Sequence, residues 1–207
     1  MKTVIFDMYG VIVKDPEGGL MPFINRTFPL LTHEDVYLHW MKGNVGGMLS
    51  LDFFKNIGFE GDLSIIETEY LNTIEIDESF CKIAGILCKY YRLALLSNDF
   101  AEWGVFLREK FKINELFDVI IVSGDVKMKK PEPQIFNLML SKLAQPASDC
   151  IYVDDRRTNL DIAQSLGMDT ILFNSRNVQY KGKSVKSFNE LARILVTQAG
   201  GEKYGLA

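Results

Sequence analysis

Cysteine is scarce in these 207 residues: Cys81, Cys88 and Cys150 are an odd set without metal-ligand spacing. Two fall in a predicted helix and one beside a predicted strand, which reads as buried free thiols in a reducing cytoplasm. A basic excess is also missing. The net charge is -4, so the chain carries no electrostatic footprint for nucleic acid or anionic lipid. No apolar run reaches the length of a membrane span. A strand is expected within three residues of Met1, and the stretch lacks a signal peptide's long apolar region and small-residue cleavage site, so no signal peptide is expected. Histidine is limited to His33 and His39, too far apart for one helical turn to make them a ligand pair. Internal repeats, low-complexity tracts and long charge runs are absent as well.

What remains is a globular composition, 47% hydrophobic and 12% aromatic. The length suits one domain with a sizeable insertion. Five short apolar runs read as strands: Thr3–Phe6, Leu93–Leu96, Val119–Val122, Ile151–Val153 and Thr170–Phe173. They are continuous rather than alternating, the pattern of parallel strands covered on both faces. Helical patterns separate the last four. Asp77 is placed to cap a helix through Tyr90, with Phe80, Ile83, Ala84 and Leu87 on one face. Pro133 to Leu143 is a second helix, and Asn159 to Leu166 a third, stopped by Gly167. Strand and helix in alternation predict an α/β, Rossmann-like, doubly wound parallel sheet.

A longer segment separates the first two strands. It opens with the turn-rich DPEGG and then turns helical, with Thr32 and Asp35 as a capping box and Ser50 as a cap for LDFFKNIGF. GNVGG punctuates it. Residues 14–76 are expected to form a helical cap, with 1–13 and 77–207 as the core. Trp40, Phe53 and Phe54 are expected to be cap core. The tail GGEKYGLA is expected to fray.

The chemistry lies just past the strands. The first ends in Asp7, the second in Ser97 and Asn98, and the fourth in Asp154 and Asp155; KMKKPEP follows the third. Parallel sheets bind ligands at this edge. Three carboxylates repel one another unless a cation sits among them. Hard oxygen ligands with room for water suit Mg²⁺ completed by a substrate phosphate. A lysine supplies positive charge, and the serine and asparagine can donate to phosphoryl oxygens. Asp7 can then attack phosphorus.

FDMYGV, LLSN, Lys130–Pro131 in KKPEPQIF, and VDDRRTN, in that order, resemble the four motifs of the haloacid dehalogenase superfamily, in the branch with a helical cap after the first motif. The resemblance implies that Asp7 is the nucleophile. It implies metal ligation by Asp7, by the Tyr9 backbone carbonyl and by Asp155, with Asp154 acting through water. Ser97, with Asn98, would hold the phosphoryl group, and Lys130 would bridge it to Asp7. Lys127 and Lys129 are expected to be solvated loop charges. Arg156 and Arg157 are read as a surface pair, Asn159 as a helix cap, and Asp99 as a turn residue that could equally touch substrate.

Tyr9 departs from the phosphatase pattern. Phosphatases of the superfamily usually carry an aspartate there, which protonates the leaving group. A phenol, which ordinarily titrates near pH ~10, is a poor base at neutral pH. Tyrosine at this place resembles the 2-haloacid dehalogenases, whose leaving halide needs no proton. Those enzymes lack the acidic pair that Asp154 and Asp155 form here. The expectation is a cytoplasmic Mg²⁺-dependent hydrolase acting on a small phosphorylated metabolite with a good leaving group. The alternatives are a dehalogenase-like hydrolase, working through an aspartyl ester, and a binding or regulatory domain with impaired catalysis.

Overall fold

The computed structural model describes residues 1–14 and 19–201, apart from the side chain of Thr27. Residues 15–18 of DPEGG and the tail beyond Gly201 lie outside them. The chain runs β1 (Thr3–Phe6), β2 (Val13–Lys14), α1 (Leu20–Thr27), α2 (His33–Gly43), α3 (Ser50–Asn56) and α4 (Leu63–Asn72). Next come β3 (Glu75–Ile76), α5 (Phe80–Leu87), β4 (Arg92–Ser97), α6 (Ala101–Lys110), β5 (Val119–Val122) and α7 (Ser123–Val126). It finishes with α8 (Pro133–Leu143), β6 (Cys150–Asp154), α9 (Arg157–Ser165), β7 (Asp169–Phe173), β8 (Ser184–Val185) and α10 (Phe188–Gln198).

Six strands form one parallel sheet in the order β5-β4-β1-β6-β7-β8. The strand centres are apolar because both faces are covered. Val4, Phe6, Leu93, Leu95, Ile151 and Val153 point to one face, against Phe80, Trp103 and Leu191 of α5, α6 and α10. Ile5, Ala94, Leu96 and Tyr152 point to the other, against Ile135, Phe136 and Leu160 of α8 and α9. Both layers exclude water, the usual dominant source of folding free energy.

The sheet extends past the five predicted strands to β8, and α6 and α10 join the predicted helices. Asp77 does not cap a helix to Tyr90. Its Oδ1 accepts from Ser79 N and Oγ in a tight turn, and α5 covers only Phe80–Leu87. Thr32 and Asp35 do form a capping box. Ser50 does not cap α3: it is the first helical residue, buried, with Leu49 in the cap position. Of the thiols only Cys150 is buried; Cys81 and Cys88 are exposed.

Helices α1 to α4 lie between β2 and β3, which pair antiparallel as a two-strand ribbon. Phe53 and Phe54 are fully buried, and Phe53 meets Phe100 and Trp103 edge-on at 5.6 and 5.9 Å. Tyr70 lies 5.0 Å from Trp103, whose indole N–H donates to Glu67. The inserted helices therefore share an aromatic cluster with α6.

Candidate functional site

Strand order reverses at β1, which has β4 on one side and β6 on the other. Phe6 pairs with Leu95 and Val153, so one step further along the strands brings Asp7 beside Asp154. Ser97 and Asp155 follow at the same edge. The register thus gathers side chains that are far apart in sequence at the carboxyl ends of three strands, the usual ligand position in an open α/β sheet.

Asp7, Ser97, Lys130, Asp154 and Asp155 are all buried. Lys130 Nζ lies 2.6 Å from Asp7 Oδ1 and 3.2 Å from Asp154 Oδ2. Asp7 Oδ1 also accepts from Met8 N at 2.6 Å. Asp154 is saturated. Its Oδ2 accepts from Tyr152 OH, Asn159 Nδ2 and Lys130, and its Oδ1 from Arg156 N at 2.7 Å. Asp155 differs: neither buried carboxylate oxygen receives a hydrogen bond from the described residues. Arg176 Nε stands 3.0 Å from Oδ2 as a counter-charge, without hydrogen-bond alignment. Ser97 Oγ likewise has no hydrogen-bond partner among the described residues.

These environments split the three carboxylates. Burial drives Asp7 up to about 8; Lys130 opposes this, while Asp154 and Asp155 add to it. Burial also raises Asp155, helped by Asp154. Asp154 goes the other way: the burial penalty is outweighed by Lys130 and by bonds from Tyr152, Arg156 and Asn159. Lys130 is held protonated because Asp154 and Asp7 outweigh its burial.

Carboxylate oxygens of Asp7, Asp154 and Asp155 lie within 4.8 Å of one another. Two of these aspartates are driven toward their neutral forms, and Asp155 has unsatisfied buried oxygens. Few oxygen donors around concentrated negative charge are what Mg²⁺ with retained waters requires. The residues present fit that ion. Gly10 leaves room on the far side: with φ +76°, a Cβ there would sit 2.6 Å from Asp155 Oδ2.

Asn98 clamps Lys130. Its Oδ1 accepts from Lys130 N at 2.8 Å and its Nδ2 donates to Lys130 O at 2.9 Å. Tyr9 is half-buried, and its hydroxyl donates to Asp99 Oδ2 at 3.0 Å. Asp99 is not a solvated turn residue: it is buried, and its other oxygen accepts from Phe100 N. Burial pushes Asp99 up to about 8, with Tyr9 opposing. Asn159 is a buried prop of Asp154 rather than a helix cap. Lys127 is exposed, but Lys129 is half-buried with Nζ 3.8 Å from Met41 Sδ. Arg156 and Arg157 are exposed, as expected. Tyr152 is not legible as a site residue in the sequence, because its position marks it as an ordinary buried strand residue.

A family model describing haloacid dehalogenase-like hydrolases matches residues 1–167. The chain belongs to that family. Acyl-CoA dehydrogenase family member 10 of Mus musculus is 37% identical over 190 residues, covering 82% of this chain and 18% of that protein. D-ribitol-5-phosphate phosphatase of Bacteroides thetaiotaomicron is 27% identical over 188 residues, covering 82% and 90% of the two chains. A HAD family enzyme of the same bacterium, crystallised with magnesium and inorganic phosphate, superposes with TM-score 0.73 at 21% identity. That match covers 87% of this chain and 98% of the other. The chain spans 12 to 18% of the length of the first three curated relatives it matches. It is a haloacid dehalogenase-like hydrolase on the parallel sheet that family uses.

Proposed function

We propose that this hydrolase is a Mg²⁺-dependent phosphatase of small phosphorylated metabolites, working through an aspartyl-phosphate at Asp7. The observation that carries the reading is Asp155, a buried carboxylate that accepts no hydrogen bond from the described residues, set against the Asp7–Lys130–Asp154 chain. Asp7, Asp155 and the Tyr9 carbonyl, with Asp154 behind them, would hold Mg²⁺, which would supply charge neutralisation for the phosphoryl oxygens and favour the ionised Asp7 that attack requires.

Lys130 and Met8 N occupy Asp7 Oδ1, which leaves Oδ2 to attack phosphorus. The P–O bond to the leaving group breaks as the bond to Oδ2 forms. Water then cleaves the acyl-phosphate, returning Asp7 and releasing phosphate and a proton. Lys130 and the Ser97 hydroxyl steady the phosphoryl oxygens in both steps. The inserted helices act as a cap over this edge and select the substrate.

Tyr9 sets the substrate class. Its phenol donates to Asp99, so its proton is directed at a carboxylate of the protein. Substrates whose leaving group departs unprotonated, such as acyl and aryl phosphates, suit this site. Phosphate release from a panel running from acetyl phosphate to sugar phosphates, with Mg²⁺ and then chelator, tests the proposal. Metal-dependent turnover falling steeply with leaving-group pKa is expected. Tyr9→Asp should raise turnover of alkyl phosphates. Halide release from 2-haloacids in chelator would instead support the dehalogenase reading that Tyr9 keeps open.

A further inference from the structure

Gly43 of the GNVGG run closes α2, and the rest of the run forms the turn after it, reaching into the core beside Tyr9's partner. Asn44 is buried there, 1% exposed. The hydroxyl of Ser123, at the start of α7, gives its proton to Asn44, whose main-chain oxygen and Oδ1 both lie within reach. The same hydroxyl accepts from Asp99 N at 2.9 Å. Asp99 Oδ2 in turn accepts from Tyr9 OH at 3.0 Å. Ser123 and Asp99 are 0% and 2% exposed.

The approach is close enough to demand glycine. A Cβ on Gly46, whose φ is +65°, would stand 2.2 Å from the Gly124 main-chain oxygen. A Cβ on Gly43 would stand 1.7 Å from the Phe100 ring. Phe100 and Gly124 are the chain neighbours of Asp99 and Ser123. The turn is therefore seated against the two residues that hold Tyr9.

We propose that Ser123 is a positioning residue, linking the seat of the cap turn at Asn44 through Asp99 to the phenol of Tyr9. The seated turn then helps to fix the phenol. The inference deepens the phosphatase reading and rests on it for its catalytic meaning. Its physical content is the hydrogen-bond chain, which can be measured without turnover.

The test places 3-fluorotyrosine at position 9 of the full chain and follows its ¹⁹F resonance. Ser123→Ala cuts the chain at its middle. Gly46→Ala forces the turn off the core and leaves every bonded side chain intact. Gly58→Ala is the control, a cap glycine at φ +96° with open space around it. The resonance should move or broaden beyond its linewidth in the first two and stay put in the third. Acetyl phosphate turnover should fall in the first two as far as the Tyr9 carbonyl shifts with its ring, by up to about 10²-fold for a misplaced group. If Ser123→Ala does not fold, Gly46→Ala decides alone. An unmoved resonance in folded variants overturns the relay, whatever the turnover. Absence of phosphate release from wild type sinks the phosphatase reading separately, and the resonances still decide the relay.

Discussion

Lys130 Nζ lies 2.6 Å from Asp7 Oδ1 with both side chains out of water. Such a pair contributes little net stability when intact and costs heavily when one partner is removed, because the other is left as an uncompensated buried charge. Lys130→Met should therefore destabilise by about 3–5 kcal/mol at neutral pH. Lowering the pH should restore part of this loss as Asp154, which Lys130 helps to hold low, takes a proton. Urea melts at two pH values measure both. Phosphate release should fall by about 10²–10³ or more. A Met variant as stable as wild type at neutral pH would contradict the geometry.

Asp7→Asn should abolish phosphate release while keeping or raising the melting temperature of the metal-free protein. The amide removes a carboxylate that burial already drives to about 8, and Lys130 keeps Asp154 as its partner. Thermal melts in chelator, beside a phosphate assay, check the two halves. A large loss of stability would mean that Asp7 holds the fold together rather than the substrate.

Metal binding has its own readout. Mg²⁺ at a hundred times its dissociation constant should stabilise the native state by about 2.7 kcal/mol. Asp155→Ala should remove most of that increment, and calorimetric titration would show the weakened binding. Gly10→Ala should also weaken it, since the added Cβ meets Asp155 Oδ2 at 2.6 Å and φ is +76°. It should cost about 1–3 kcal/mol of stability besides. Mg²⁺ titrating both variants like wild type would argue against Asp155 as a ligand.

Asp99 makes stability depend on pH. Burial raises its pKa from 3.8 to about 8 in the folded chain. Between those values the native state holds a proton that the unfolded state has lost, so stability falls as pH rises. The contribution is complete below about 4 and gone above about 8. Asp99→Asn should flatten this slope in chelator, leaving only what Asp7 and Asp155 contribute in the same direction. Chemical denaturation at pH 5 and pH 8 gives the comparison, and equal slopes in the two proteins would refute the assignment.

The fold was legible wherever the sequence spoke in local patterns. Continuous apolar runs named five strands because both sheet faces are covered. The Pro133–Leu143 helix begins and ends where proline and the apolar spacing put it. The two-residue β8 carries no pattern to read. The strand-end groups were visible because each follows a strand, and the parallel register then brings them together. Asp99 and Asn159 were not, because a buried aspartate and a solvated one look alike in sequence. Only the tertiary contacts with Tyr9 and Asp154 separate them. Tyr152 is hidden for the same reason: its hydroxyl matters through Asp154 alone.

The aromatic cluster of Phe53, Phe54, Tyr70, Phe100 and Trp103 spans inserted helices and core alike. Its consequence concerns cooperativity. Helices sharing so much buried ring surface cannot melt separately without exposing it to water. Amides in α3, α4 and α6 should exchange with solvent as one foldon, and heating should give a single transition. Swinging the inserted helices away from α6 as a block would expose the same rings to water.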